Sequence, residues 1–140
     1  MRKISTRVAD ISYDKEKRLV FVKIKENAEI ELADTVENAK ATKSLTGNDR
    51  YLVMIDAISN LSVSKEARSY SAQKSERDLR VAEAYIVGST ANKIVGNFYI
   101  KFNKPNVPTK LFSNPESALE WLEHYYYLIE TKSNRQELAF

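Results

Sequence analysis

The chain has no cysteine, one histidine, three glycines and three prolines among its 140 residues, and each scarcity removes a class of chemistry. Without cysteine there is no disulfide, no thiolate nucleophile, no zinc ribbon and no Cys-ligated iron–sulfur cluster. A lone His124 cannot build the His-rich shell of a catalytic zinc site. With no GxSxG elbow in the chain, it has no serine to serve in a hydrolase triad either. Gly47, Gly88 and Gly96 are too few and too scattered to write a GxGxxG turn or a P-loop, and the DxDxDG calcium loop is also missing. No cofactor is expected. Long hydrophobic runs are lacking too: Leu19–Val22 and Leu52–Ile55 fall far short of the roughly 20 residues a membrane span needs. The segment Met1–Arg7 is basic but has no apolar stretch behind it, so it is not read as a secretory signal. A cytoplasmic protein without a membrane span is expected.

What remains is an ordinary globular balance, with 43% hydrophobic and 29% charged residues, enough for one packed domain. No stretch is rich enough in Pro, Gly or Ser to be a linker. We expect a single domain over 1–130 and a flexible tail over 131–140. The net charge of +3 is too small to argue for a nucleic-acid partner, and its sign alternates along the chain as it does on solvated faces.

Two runs rich in β-branched and aromatic residues, Val8–Tyr13 and Leu19–Ile24, flank the polar turn Asp14-Lys15-Glu16-Lys17 and predict a hairpin. Leu32, Val36 and Ala39 share one face of a helix running from Glu31 to about Leu45, which Gly47 ends. Tyr51–Ile55, closed by Asp56, is apolar throughout, as in a central strand covered on both sides. A polar, exposed helix reaching toward Arg80 follows, capped by Ser62 or Ser64. Val81–Val87 predicts another strand. Gly88-Ser89-Thr90 leads into a helix with Ala91, Ile94, Val95, Phe98 and Phe102 on its buried face. After a Pro-bounded loop over 103–108, Thr109–Phe112 is a short strand. Ser113-Asn114-Pro115-Glu116 announces a last helix whose buried stripe is Ala118, Leu122, Tyr125 and Ile129. The order ββαβαβαβα predicts an α/β fold: a mixed, mostly parallel sheet with helices packed against it.

This order, with the strand Tyr51–Asp56 running into a Ser-rich loop and helix, resembles the STAS domain of anti-sigma factor antagonists and its SEC14-like relatives. The segment from Asn97-Phe98 through Asn103-Lys104-Pro105 and Pro108-Thr109-Lys110-Leu111-Phe112 to Ala118-Leu119-Glu120-Trp121-Leu122 looks like that of an uncharacterised bacterial subgroup of such proteins. In the STAS family an Asp ends the central strand, and a later Asp-Ser-Ser-Gly opens the helix with its phosphorylated Ser. Asp56 matches the first. The second falls on Ser64-Lys65-Glu66-Ala67, so the family Asp is Ser64 here and the acceptor is Lys65. Ser62 and Ser64 remain as displaced phosphoacceptor candidates, against their simpler role as helix caps.

Function is sought where strands end and helices begin, because unpaired N–H groups face outward there. The candidate partner or anion loop comprises Asp56, Ser59, Asn60, Ser62, Ser64, Arg68, Ser89 and Thr90. Trp121, Tyr125, Tyr126 and Tyr127 are a candidate homodimer interface, since consecutive tyrosines cannot all face the core. Lys101, Lys104 and Lys110, beside Phe98, Tyr99 and Phe102, read either as a solvated loop or as a contact for an acidic partner, a lipid headgroup or RNA. The expectation is a non-enzymatic regulatory or protein-interaction module presenting residues 56–80 to a protein partner. The alternative is a small-molecule or lipid binder with an apolar pocket under the helix Ala91–Phe102.

Overall fold

The computed structural model describes residues 2–73 and 78–130. The tail expected over 131–140 and part of the polar helix, positions 74–77, lie outside these. The described residues form strands β1 (Arg2–Ser5), β2 (Ala9–Asp14), β3 (Leu19–Ile24) and β4 (Ala28–Ile30), helix α1 (Leu32–Thr46), strands β5 (Tyr51–Ala57) and β6 (Leu61–Val63), and helix α2 (Lys65–Ala72). Then come β7 (Arg80–Val87), α3 (Thr90–Phe98) with a π-helical turn over Tyr99–Asn103, β8 (Thr109–Phe112) and α4 (Pro115–Glu123). The main sheet has the order β1-β2-β3-β5-β7-β8. Its first two pairings are antiparallel, and β3/β5, β5/β7 and β7/β8 are parallel. This is the mixed, mostly parallel sheet expected.

Three strands add to the expected order. β1 is an edge strand with one apolar residue, Ile4, so no alternation betrays it. β4 and β6 pair in parallel as a separate small sheet, and three residues each are too few to show a period. β5 is central: Tyr51, Val53, Ile55 and Ala57 belong to one core, Leu52 and Met54 to the other. On the second face α4 lies across β5, β7 and β8, bringing Ala118 and Leu122, both fully buried, against Leu52, Met54, Ala82 and Ile86. Asn114 caps this helix by accepting from Ser117 N at 2.8 Å, and Pro115 occupies its first turn.

The opposite face is covered unevenly. α1 packs on β1 and β2, α3 on β7 and β8, and α2 touches α1 and the π-helical turn. Here two expected helix faces are corrected. In α1 the buried residues are Asp34, Ala41 and Thr46, while Leu32 and Ala39 are exposed. Asp34 decides the rotation: its carboxylate accepts from Arg7 Nε at 2.8 Å and from Glu31 N at 2.9 Å. In α3 the expected buried stripe is turned outward, with Ile94 64%, Phe98 45% and Phe102 61% exposed. Its inner face instead carries Asn92 and Tyr99, both buried, with Gly96 between them. The Asn92 amide donates to the Ala57 and Ser59 carbonyls at 2.8 and 3.0 Å. At Gly96 the Leu111 methyls reach within 2.9 Å of where a Cβ would stand, so no larger residue passes there without displacing Leu111.

A third correction concerns Arg80. It does not extend the polar helix, because α2 ends at Ala72; it opens β7 and is buried.

Candidate functional site

With α1 set over one side of the sheet and α3 over the other, the middle of β3, β5 and β7 is left without a tightly packed helix. A half-open cavity of about 710 Å³ lies there, within the range of small-molecule sites. Its floor is the sheet face formed by Val20, Val22, Ile24, Val53, Ile55, Ala57 and Val87. Val36 and Ala39 of α1, Arg68 and Tyr70 of α2, and Val95, Gly96 and Tyr99 of the α3 segment supply the walls. Of the α1 residues expected on one face, Val36 and Ala39 therefore line this cavity and Leu32 does not. The Ala91–Phe102 helix meets it through Val95, Gly96 and Tyr99 rather than through Ile94, Phe98 or Phe102.

One end is polar. Arg80 pairs with Asp78 (Nε to Oδ2, 2.7 Å) and with Glu83, and donates through Nη2 to the carbonyls of Ser71 and Gln73 at 2.9 and 2.8 Å. Burial works against the Arg80 charge, but the carboxylates of Glu83 and Asp78 more than offset it and hold the guanidinium protonated. Glu83 is pushed upward by burial, opposed by Arg80. Tyr51 donates to Asp78 Oδ1 at 3.2 Å. Burial raises the phenols of Tyr51, Tyr85 and Tyr99, so all three keep their protons at neutral pH.

Besides Arg80 Nε, which faces its ion-pair partner Asp78, two polar atoms of the described residues around the cavity are buried without a hydrogen bond, Tyr99 Oη and Arg68 Nε. Both residues line the cavity. Tyr99 is itself buried, its ring edge-on to Tyr85 with centroids 6.0 Å apart. A buried donor left unmet costs about 1–3 kcal/mol, so these two groups have something to gain from an acceptor in the cavity.

The loop residues singled out in the sequence are brought together, though most are occupied. Asp56 Oδ1 accepts from Ile58 N at 3.1 Å. The Ser59 carbonyl holds Asn92, and the Asn60 carbonyl accepts from Asn27 N at 2.8 Å. Ser64 caps α2 through Ala67 N at 3.1 Å, and Ser89 caps α3 through Asn92 N at 3.0 Å. Ser62 is exposed on β6 and Thr90 is exposed at the start of α3. Arg68 bends inward, donating from Nη1 to the Val63 carbonyl at 2.7 Å. The Asn92 bonds and the contact of Ile58 with Gly88 join the two loops side by side. At the far end of the chain, Trp121 packs on Phe112 and Tyr125, and the Tyr126 hydroxyl donates to the Lys17 carbonyl at 2.6 Å. Tyr127 is 58% exposed. His124 is exposed, with Nδ1 3.0 Å from the Glu120 carbonyl of its own helix.

Glu83 and Tyr85 escape the sequence reading, which places Arg80 on the polar helix and Tyr99 beside the basic loop. One signal was available: a strand otherwise built of Val, Ala, Ile and one Tyr that carries an Arg and, three positions on, a Glu has a charge pair where apolar residues are expected. Among the described residues no group of three His, Asp or Glu is placed to hold a metal ion, and no helix is long and apolar enough to cross a membrane.

The architecture is similar to that of solved proteins. A crystal structure of an uncharacterised protein of the DUF3478 family with a SpoIIAA-like fold, from Shewanella loihica PV-4, superposes with a TM-score of 0.54 over 85% of this chain and 98% of that one, at 14% identity. At that identity the likeness speaks of fold alone, and it agrees with the α/β arrangement read from the sequence. A protein of unknown function from Arthrobacter sp. FB24 aligns over 81% of this chain and 97% of its own, with 23% identity and a TM-score of 0.32. No curated protein matches the chain. Residues 13–126 match the family described as a domain of unknown function, DUF7793, and the chain belongs to that family.

Proposed function

We propose that this domain is a non-enzymatic binding protein for a small molecule with an apolar body and one hydrogen-bond-accepting head. The observation that carries the reading is the 710 Å³ cavity, apolar over most of its floor, with the Tyr99 O–H and the Arg68 Nε–H buried at its wall without an acceptor. An aliphatic or aromatic body would cover Val53, Ile55 and Val95, and the head would accept from Arg68 and Tyr99. Catalysis is a poorer reading of the same groups. Among the described residues Glu83 is the one buried acid facing the cavity; it is tied to Arg80 and Thr109, with no free nucleophile of those residues beside it.

The test is calorimetric titration of the full chain with decanoate and with decan-1-ol. Saturable one-to-one binding with a negative heat-capacity change is expected, and it should be lost in Ala39→Trp, whose indole would fill the cavity from α1. Heats that never saturate, or an unaffected Ala39→Trp variant, would refute the reading.

Presentation of residues 56–80 to a protein partner is a second reading, favoured by the exposed side chains of Ile58 and Tyr70 at 47% and 39%. It predicts that Ile58→Asp weakens partner capture while leaving decanoate binding unchanged.

A further inference from the structure

The outward face of α3 and its π-helical turn is unlike any other surface of the described residues. Ile94, Phe98 and Phe102 fall within one side of the helix and are all exposed, while Val95 beside them turns toward the cavity. Phe98 and Phe102 stack on each other at 4.6 Å. Basic groups surround them: Arg68 lies 5.3 Å from the Phe98 ring and Lys101 Nζ lies 5.4 Å from that of Phe102. From Glu83 to Glu116 the chain has no intervening acidic residue, and its charges there are Lys93, Lys101 and Lys104 on the α3 segment and Lys110, which lies over Phe112 on the α4 side of the sheet. A solvated helix does not need three large apolar side chains on one side, and a packed one would not point them outward.

We propose that this face docks on an anionic lipid surface, with Ile94, Phe98 and Phe102 entering the boundary between headgroups and acyl chains and Lys93, Lys101 and Lys104 lying among the headgroups. The combination of an apolar stripe, flanking cations and no nearby carboxylate on the same segment is what an interfacial helix requires. The cation type separates a bilayer from an acidic protein. Lysine is depleted at protein–protein interfaces, where arginine is enriched, and the cations beside this stripe are lysines apart from Arg68, whose Nη1 is already held by the Val63 carbonyl. The proposal goes beyond ligand binding and does not depend on it, since Ile94, Phe98 and Phe102 do not line the cavity.

The experiment is co-sedimentation of the full chain with vesicles of phosphatidylcholine alone and of phosphatidylcholine with phosphatidylglycerol in equal parts, at low and high salt. Sedimentation with the anionic vesicles that weakens with salt is expected. Loss of a single lysine should weaken it about fivefold, so Lys101→Glu/Lys104→Glu should nearly abolish it. Ile94→Ser/Phe102→Ser should weaken it as well while leaving decanoate titration unchanged, which separates this face from the cavity. Equal sedimentation with both vesicle types, none with either, or no change in both double variants would overturn the proposal. So would binding to an acidic peptide by a chain that ignores anionic vesicles.

Discussion

Helix α4 turns Ala118 and Leu122 onto the sheet and leaves its charges in solvent, whereas α3 buries Asn92 and Tyr99 and shows Ile94, Phe98 and Phe102 to solvent. Both have a clear apolar stripe at helical spacing, and periodicity alone assigns both stripes to the core. The difference lies in what else each helix must satisfy. Nothing on α4 competes with burying its apolar side. On α3, turning the stripe inward would bury more of Ile94 and Phe98, a gain of roughly 1–2 kcal/mol each. It would also strand the Asn92 amide and the carbonyls of Ala57 and Ser59, at roughly 1–3 kcal/mol per group, and expel Gly96 from its contact with Leu111. The polar terms are at least equal, so the side chain that bonds to the end of β5 sets the rotation. α1 follows the same rule through Asp34. Helices held by polar ties need not cover the sheet tightly, and that is why the cavity lies on their side of the sheet and α4's side is packed.

Breaking the ordinary helix should cost most. Leu122→Ala removes a fully buried side chain from the α4 core and should lower stability by about 3 kcal/mol in chemical denaturation. A loss under about 1 kcal/mol would mean that α4 is not the tightly packed partner described. Asn92→Ala should cost about 2 kcal/mol, against near neutrality if the Asn92 bonds do not hold α3.

Asp34 gives the comparison a pH axis. The Arg7 hydrogen bond holds its carboxyl below the ordinary carboxylate range. Its contribution is therefore complete above the unfolded value of about 3.9 and is lost as pH falls through the lowered folded value. Because Arg7 is largely exposed, solvent screening keeps the effect modest: Asp34→Ala should lose about 1–2 kcal/mol at neutral pH and show a shallower decline below about pH 4. A wild type and variant that decline in parallel would remove Asp34 as the α1 anchor. The smallest effect is expected on the outward stripe, where Ile94→Ser should change stability by less than about 0.5 kcal/mol. A large loss there would show that the stripe is core after all.

These contrasts mark what the sequence could tell. The β2–β3 hairpin, the doubly covered β5 and the Asn114-Pro115 start of α4 are legible because each rests on local chemistry: alternation, an unbroken apolar run, a cap. The loops after β5 and β7 are also legible as neighbours, since topology alone places them at the same edge. The rotations of α1 and α3 are not, because the bonds that decide them join residues far apart in the chain, Arg7 to Asp34 and Asn92 to Ala57. The polar end of the cavity is hidden for the same reason. Arg80 reads as the end of a polar helix until β7 is seen to begin with it and Glu83 is found beside it.

The claim that the sheet face between the polar-held helices is a ligand site is tested most directly by intermolecular nuclear Overhauser effects between decanoate and methyl-labelled protein. The account predicts contacts from the decanoate chain to the methyls of Val53, Ile55 and Val95, with none to Ile94. Contacts confined to Ile94 and the outward stripe, or none at any of these methyls, would contradict it.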